Sequence, residues 1–111
     1  MGYGFGALND YADRCFANAK AHGFHEKTPS LDRPEDTRHL LSWMMLITTE
    51  VAEAAEAIRK GDKENFAEEL ADICIRVFDS AAALGINLEQ EIVNKMIRNE
   101  ARPHMHGGKR A

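Results

Sequence analysis

The sequence is poor in the residues that build strands, disulfides and membrane spans. Val, Thr and Tyr never form the alternating runs that favour a strand, whereas Ala, Glu, Leu, Lys, Arg and Met dominate. The two cysteines, Cys15 and Cys74, stand in helical apolar patterns outside any CxxC motif, so we expect buried thiols and no disulfide framework. No apolar run approaches the roughly 20 residues that a bilayer requires. We therefore expect an all-α, soluble, cytoplasmic protein.

A uniformly basic face is missing as well. The formal net charge is −4. Acidic residues are concentrated between positions 50 and 72, and lysines and arginines are concentrated toward the C-terminal end. This distribution disfavours binding of a nucleic-acid polymer. An acidic cluster beside a basic one suits a metal ion together with a polyphosphate.

The helical periodicity, with the residues that end and begin helices, predicts one domain over residues 1–111, with a polar tail at about 103–111. Gly61 and Gly85 are typical of helix C-termini, and Asp62 and Asn87 of N-caps. The segment 24–32 has turn composition and no period, so we expect a loop that folds over another part of the molecule. The predicted helices span about 5–21, 34–60, 63–84 and 88–102. They indicate a compact antiparallel four-helix bundle.

Four acids flank the apolar stripes of the second and third helices. Glu50 and Glu53 lie three residues apart on one helix, and Glu69 and Asp72 repeat that spacing on the next. Glu53 and Glu69 are equally distant from Gly61, and so are Glu50 and Asp72, so a tight hairpin sets the pairs opposite each other. Like charges this close need a cation, and an all-oxygen site prefers a hard one. We predict a Mg²⁺ site, with Mn²⁺ as a substitute.

Other polar and aromatic residues surround this predicted site. His39 and Trp43 fall on the same stripe of the second helix as the acids, where a base could stack on the indole; the alternative is that Trp43 is a core residue. Arg76 follows Asp72 at i+4 and either pairs with that acid or reaches a phosphate. Lys95, Asn99 and Arg102 form one face of the fourth helix that could hold phosphate oxygens, although such a face is often merely solvated.

Several of these motifs together resemble the MazG-like all-α nucleotide pyrophosphohydrolases. The resemblance is carried by Glu50-Val-Ala-Glu53, Glu69-Leu-Ala-Asp72, Lys95-x-x-x-Asn99-x-x-Arg102-Pro103 and His106-Gly-Gly-Lys109. It implies a hydrolase that cleaves an NTP or dNTP to the monophosphate and pyrophosphate, with a role such as nucleotide-pool house-cleaning. It implies that the four acids are Mg²⁺ ligands and catalytic residues, and that Lys95, Asn99 and Arg102 contact the substrate.

The same resemblance implies a homodimer or homotetramer with sites near the subunit interfaces. Many relatives have an aromatic residue where this chain has Arg76, a departure that bears on base or sugar selection. Three other interpretations remain open at this point: a phosphoribosyl-ATP pyrophosphohydrolase-like enzyme, a carboxylate-bridged di-iron bundle, and a non-catalytic dimerisation or regulatory module. The di-iron design requires Glu-x-x-His motifs, and neither Glu53 nor Glu69 has a histidine at i+3.

Overall fold

Four α-helices and one 3₁₀ turn form 78% of residues 6–102, the part of the chain that this computed structural model describes, and no strand occurs there. The elements are α1 (Ala7–Ala21), the 3₁₀ turn Pro34–Asp36, α2 (Thr37–Lys60), α3 (Lys63–Ala83) and α4 (Leu88–Glu100). The all-α prediction is confirmed. The predicted start of the first helix at Phe5 and the tail at 103–111 lie outside the described residues. Within the described range, none of the helices has both the length and the apolar character of a membrane span.

The helix ends follow local side-chain chemistry. Gly61 closes α2 in the left-handed conformation, at φ 70°, where a residue with a Cβ is strained. Asp62 begins α3, and its carboxylate accepts a hydrogen bond from the backbone N–H of Asn65. Asn87 begins α4 in the same way by accepting from the N–H of Gln90. Because one residue in the left-handed region is followed at once by an N-cap, α2 and α3 form a tight hairpin.

Small residues fill the places where the helices approach one another. α3 packs against both α2 and α1, and the buried apolar side chains of the described helices are alanines. They are Ala12, Ala54, Ala57 and Ala81. Because an alanine keeps helix axes close together, side chains that flank it on facing helices are brought within interaction range. Ala54 directly follows Glu53, so the close approach of α2 and α3 falls at the height of the acids.

The apolar stripe of α2 is only half covered by its own chain. Met44, Val51 and Ile58, spaced seven residues apart, are 47%, 49% and 63% exposed. Residues at this spacing share one face of a helix. The α2 helix therefore presents an apolar line to the outside of the single chain.

The α4 helix is fastened mainly by its first turn. The Glu89 carboxylate accepts from the N–H of Leu8 at 2.9 Å, and the N–H of Glu89 donates to the Asn9 side chain at 3.2 Å. Asn9 also donates to the Asn87 side chain at 2.8 Å. From position 93 to position 100, every residue of α4 is exposed.

Candidate functional site

The hairpin brings acids from α2 and α3 together. Oxygen atoms from Glu50, Glu69 and Asp72 all lie within 4.8 Å of one another. Glu53 is not part of this mutually close set, and its side chain is exposed at the edge of the cluster. It nevertheless interacts with the Glu50 and Glu69 carboxylates. All four predicted acids therefore belong to one electrostatic group, which we call the acidic cluster.

The carboxylates of the acidic cluster perturb one another. Burial, followed by the charge of Glu53, raises the pKa of Glu69 to about 7. The pKa of Glu53 is raised as well, chiefly by its hydrogen bond with Glu50. The hydrogen bond from Arg76 holds the pKa of Glu50 below its ordinary value. Glu50 is therefore held in the ionised form, while Glu69 is protonated in part of the molecules near neutral pH in the absence of a cation.

Arg76 provides the positive charge beside the acidic cluster. Its Nε donates to Glu50 Oε2 at 2.8 Å, across the α2–α3 contact. Among the described residues this ion pair replaces the i+4 pair with Asp72 that was one interpretation of the sequence. The Arg76 side chain is 40% exposed, against 12% for Glu50. The guanidinium can therefore turn toward solvent or a bound anion while Glu50 stays in place.

A cavity of about 470 Å³ opens beside the acidic cluster. Glu50, Asp72 and Arg76 form one end of its lining. The remainder of the wall comes from Trp43 of α2, from the last part of α3, from α1 and from the segment after α1. This volume falls in the range of small-molecule sites. A ligand with its charged end at the acidic cluster would extend its other end into this cavity.

The far wall of the cavity contains a histidine and an aspartate that the sequence patterns did not single out. His25 Nε2 lies 2.7 Å from Asp79 Oδ1, and the His25 side chain is only 3% exposed. Its Nδ1 is buried and has no hydrogen-bond partner. A sequence signal existed for Asp79, which lies seven residues after Asp72 and so on the same face of α3. His25 belongs to the predicted loop, which does pack over α3, but its aperiodic composition gave no sign of the partner.

Trp43 stands between two histidines at the edge of the cavity. Its ring meets His25 edge to face at a centroid distance of 5.4 Å, and it meets His39 in the same manner at 5.6 Å. His39 itself is exposed and lines a separate depression in the 27–39 segment. The structure thus places Trp43 at the cavity and His39 behind it.

The predicted phosphate-binding face of α4 lies elsewhere. Lys95, Asn99 and Arg102 are exposed, and none of them lines the cavity of its own chain. A single chain therefore does not bring these three residues to the acidic cluster. Their role in binding a substrate stays a prediction.

Cys15 also lines the cavity but is not a nucleophile. Its thiol pKa is raised, first by burial and then by the charge of Asp79. A protonated thiol reacts poorly with electrophiles. The chemistry of this site therefore rests on its carboxylates.

The acidic cluster fits a hard divalent cation. Every donor in it is a carboxylate oxygen, the ligand type that Mg²⁺ and Mn²⁺ prefer. Glu69 Oε1 is buried and has no hydrogen-bond partner. Since a buried polar atom is rarely left unpaired, this oxygen is suited to a metal bond. Glu50, Glu69 and Asp72 would hold the ion, with Glu53 at the open edge.

Comparison with known proteins agrees with this chemistry. A family model described as the MazG nucleotide pyrophosphohydrolase domain matches residues 38–106, more than half of the chain. The matched range includes the whole acidic cluster and the Lys95–Arg102 segment, whereas His25 precedes it. Searches of curated proteins and of solved structures found no match. The acidic cluster and the family match together show that this chain belongs to the MazG nucleotide pyrophosphohydrolase domain family.

Proposed function

We propose that this protein is a Mg²⁺-dependent nucleoside triphosphate pyrophosphohydrolase that releases a nucleoside monophosphate and pyrophosphate. The observation that carries the proposal is the convergence of three carboxylates within 4.8 Å inside the region matched by the family model. Mn²⁺ would substitute for Mg²⁺, since both are hard cations that bind oxygen ligands. Cleaning of the nucleotide pool is a role that fits such an activity.

Each acid has a part in this proposal. Glu50, Glu69 and Asp72 bind the cation and thereby position the triphosphate, and the pKa of Glu69, near 7, means that this side chain gives up its proton on binding. A divalent cation held by these residues would neutralise charge on the phosphates and make a water molecule easier to deprotonate. Glu53 lies at the exposed edge, outside the mutually close set of ligands, and its pKa is raised above that of an ordinary glutamate, so it would accept a proton from the attacking water.

Arg76 changes its partner in the same scheme. In the structure it neutralises Glu50. Its exposed guanidinium can leave that carboxylate for a phosphate oxygen, a ligand to which arginine binds with two parallel hydrogen bonds. Arg76 would therefore contact the triphosphate between the acidic cluster and the cavity. No covalent intermediate is needed.

The proposed enzyme acts as a homodimer or homotetramer. The line of Met44, Val51 and Ile58 along α2 is left half exposed by a single chain, and a second copy would bury it. A second copy would also supply the α4 face that carries Lys95, Asn99 and Arg102. We expect Val51→Asp to convert the oligomer to a smaller species in size-exclusion chromatography with light scattering. The matched control is Ala17→Asp, on the exposed side of α1, which should leave the mass unchanged.

The test of activity is a screen of common and damaged NTPs and dNTPs with Mg²⁺ that detects pyrophosphate and orthophosphate separately. We expect pyrophosphate from the wild type and at least a hundredfold loss of kcat in Glu53→Gln and Glu69→Gln, as is usual when an acid–base group or a metal ligand is removed. The control is Glu56→Gln, an exposed residue of the same helix that pairs with Arg59. Orthophosphate as the only product would refute the proposed bond. If the wild type and all variants released the same amount of product, the acidic cluster would not be catalytic. That result would favour a non-catalytic module.

The phosphoribosyl-ATP alternative is tested in the same screen. That substrate has the same triphosphate anhydride but carries a second ribose phosphate on its base. If it were cleaved while simple NTPs and dNTPs were not, the assignment of substrate would move to that compound. The assignment of the acidic cluster as the metal site would remain.

A further inference from the structure

The His25–Asp79 pair lines the cavity near the end of its α3 wall that lies away from the acidic cluster. Asp79 follows Asp72 by two helical turns, which is about 10 Å along the helix axis. In a nucleoside triphosphate a comparable length separates the α-phosphate from the outer edge of the base. If the phosphates lie at the acidic cluster, as the proposed function requires, the base edge lies at Asp79.

Burial of this pair is not explained by its contribution to the stability of the fold. His25 is almost fully covered, yet one of its ring nitrogens has no partner. An unpaired buried polar atom opposes folding, and such atoms in native proteins concentrate where another task is served. The pair does hold the segment after α1 against α3. A side chain with a single hydrogen-bonding group could hold the segment equally well, and it would leave no buried ring nitrogen unpaired.

The geometry leaves one aspartate oxygen available to a ligand. Asp79 Oδ1 lies 2.7 Å from His25 Nε2, so this carboxyl oxygen is already engaged in a hydrogen bond. Oδ2 has no partner among the residues that the structure describes, and the Asp79 side chain is 25% exposed at the cavity. His25 thereby fixes the carboxylate so that its second oxygen presents an acceptor to the bound molecule.

We propose that Asp79, held in position by His25, selects nucleotides whose base carries an amino group at the edge facing it. The inference rests on the proposed function for the placement of the phosphates. An amino group donates to the Asp79 carboxylate, whereas a keto oxygen at the same position meets like partial charge. Cytosine differs from uracil, and adenine from hypoxanthine, in this exchange of amino for keto, which also turns the adjacent ring nitrogen from an acceptor into an N–H donor. Asp79 is thus a specificity-determining residue, and His25 is a positioning residue.

The decisive comparison uses these two matched pairs of triphosphates with the wild-type protein, in both the ribose and the deoxyribose series. A hydrogen bond to a charged group corresponds to about a ten- to hundredfold preference, so we expect kcat/KM to favour cytosine over uracil and adenine over hypoxanthine by that factor. Equal kcat/KM within both pairs would overturn the inference while leaving the proposed function intact. A preference that depends on the sugar hydroxyls and not on the base would overturn it as well.

A second measurement does not depend on hydrolysis. Trp43 is the sole tryptophan of the chain and lines the cavity, so its fluorescence reports occupancy. Titration with dCMP and dUMP, and with dAMP and dIMP, should give a Kd that is about ten- to hundredfold lower for the amino member of each pair. If no triphosphate is hydrolysed but this difference is found and is lost in Asp79→Asn, the proposed reaction fails, whereas binding of the phosphate at the acidic cluster and selection of the base by Asp79 stand. If neither monophosphate of a pair binds more tightly, the inference fails.

Variants separate recognition from folding. Asp79→Asn keeps a carbonyl oxygen for His25 but turns an NH₂ donor toward the cavity, so the preference should reverse toward uracil and hypoxanthine. His25→Gln retains an N–H donor and should retain part of the preference, whereas His25→Leu should lose it. Asp13→Asn, an exposed residue of α1, is the matched control and should behave as wild type. Equal loss of activity on all four bases in Asp79→Asn would assign the pair a purely structural role and overturn the proposal.

Discussion

Binding of a divalent cation should release a proton from Glu69, and the amount should depend on pH. Burial and the neighbouring carboxylates raise the pKa of this side chain to about 7 in the metal-free protein, and a metal ligand must be ionised. With that pKa, about 0.9 proton should be released per bound ion at pH 6, about 0.5 at pH 7 and about 0.1 at pH 8. Glu53, whose pKa is also raised, would add to the release in the same direction.

Isothermal titration calorimetry with Mn²⁺ or Mg²⁺, in two buffers of different ionisation enthalpy at each pH, measures this release directly. We expect Glu56→Gln to behave as wild type, because that residue is exposed and pairs with Arg59 outside the acidic cluster. Glu69→Gln should lose most of the pH-dependent release together with affinity for the ion. A release near zero at every pH from 6 to 8 would refute the reasoning, because Glu69 would then be ionised before the ion binds.

Three further outcomes follow from the same geometry. The Tm of the metal-free protein should fall from about pH 5 to about pH 8. A carboxyl whose pKa is raised in the folded state contributes stability at low pH that is lost as the pH rises through that pKa. Glu69→Gln should therefore flatten the dependence of Tm on pH in thermal melts. Arg76→Gln should lower the metal-free Tm but tighten Mn²⁺ binding about two- to fivefold in calorimetry, because Glu50 loses a positive neighbour; unchanged affinity would contradict this. Gly61→Ala should destabilise the protein by about 1 kcal/mol in urea unfolding, since its φ of 70° strains a residue with a Cβ while no atom obstructs the methyl group.

The sequence predicted those parts of the fold that local chemistry determines. Gly61, Asp62 and Asn87 act on their own backbone neighbourhood, so their types and positions were enough to locate the helix ends. The meeting of Glu50 with Glu69 and Asp72 could be predicted because the hairpin has a definite centre at Gly61. Counting residues outward from that turn places the four acids at neighbouring heights, and in the packed helices three of them, Glu50, Glu69 and Asp72, lie within 4.8 Å of one another.

Contacts between distant segments could not be predicted in this way. The His25–Asp79 pair joins residues 54 positions apart, and the histidine belongs to a segment with no period to indicate which side of it is covered. Spacing along one helix suggested Asp72 as the partner of Arg76, but packing between helices brought Glu50 within 2.8 Å. Placement of the α4 side chains relative to the acidic cluster depends on how copies of the chain are arranged, which helical periodicity does not encode.

The attachment of α4 by its first turn has a consequence for how activity would respond to dilution. This helix is attached to α1 through Asn87 and Glu89, and its residues from position 93 to position 100 are exposed in the part of the chain that the structure describes. Suppose that a neighbouring copy packs against this part of α4 and that Lys95 and Arg102 reach the acidic cluster of that copy. Specific activity per chain should then decline on dilution below the dissociation constant of the assembly. Such a protein would hydrolyse nucleotides in proportion to its assembled fraction, so its own abundance would set the threshold for its activity.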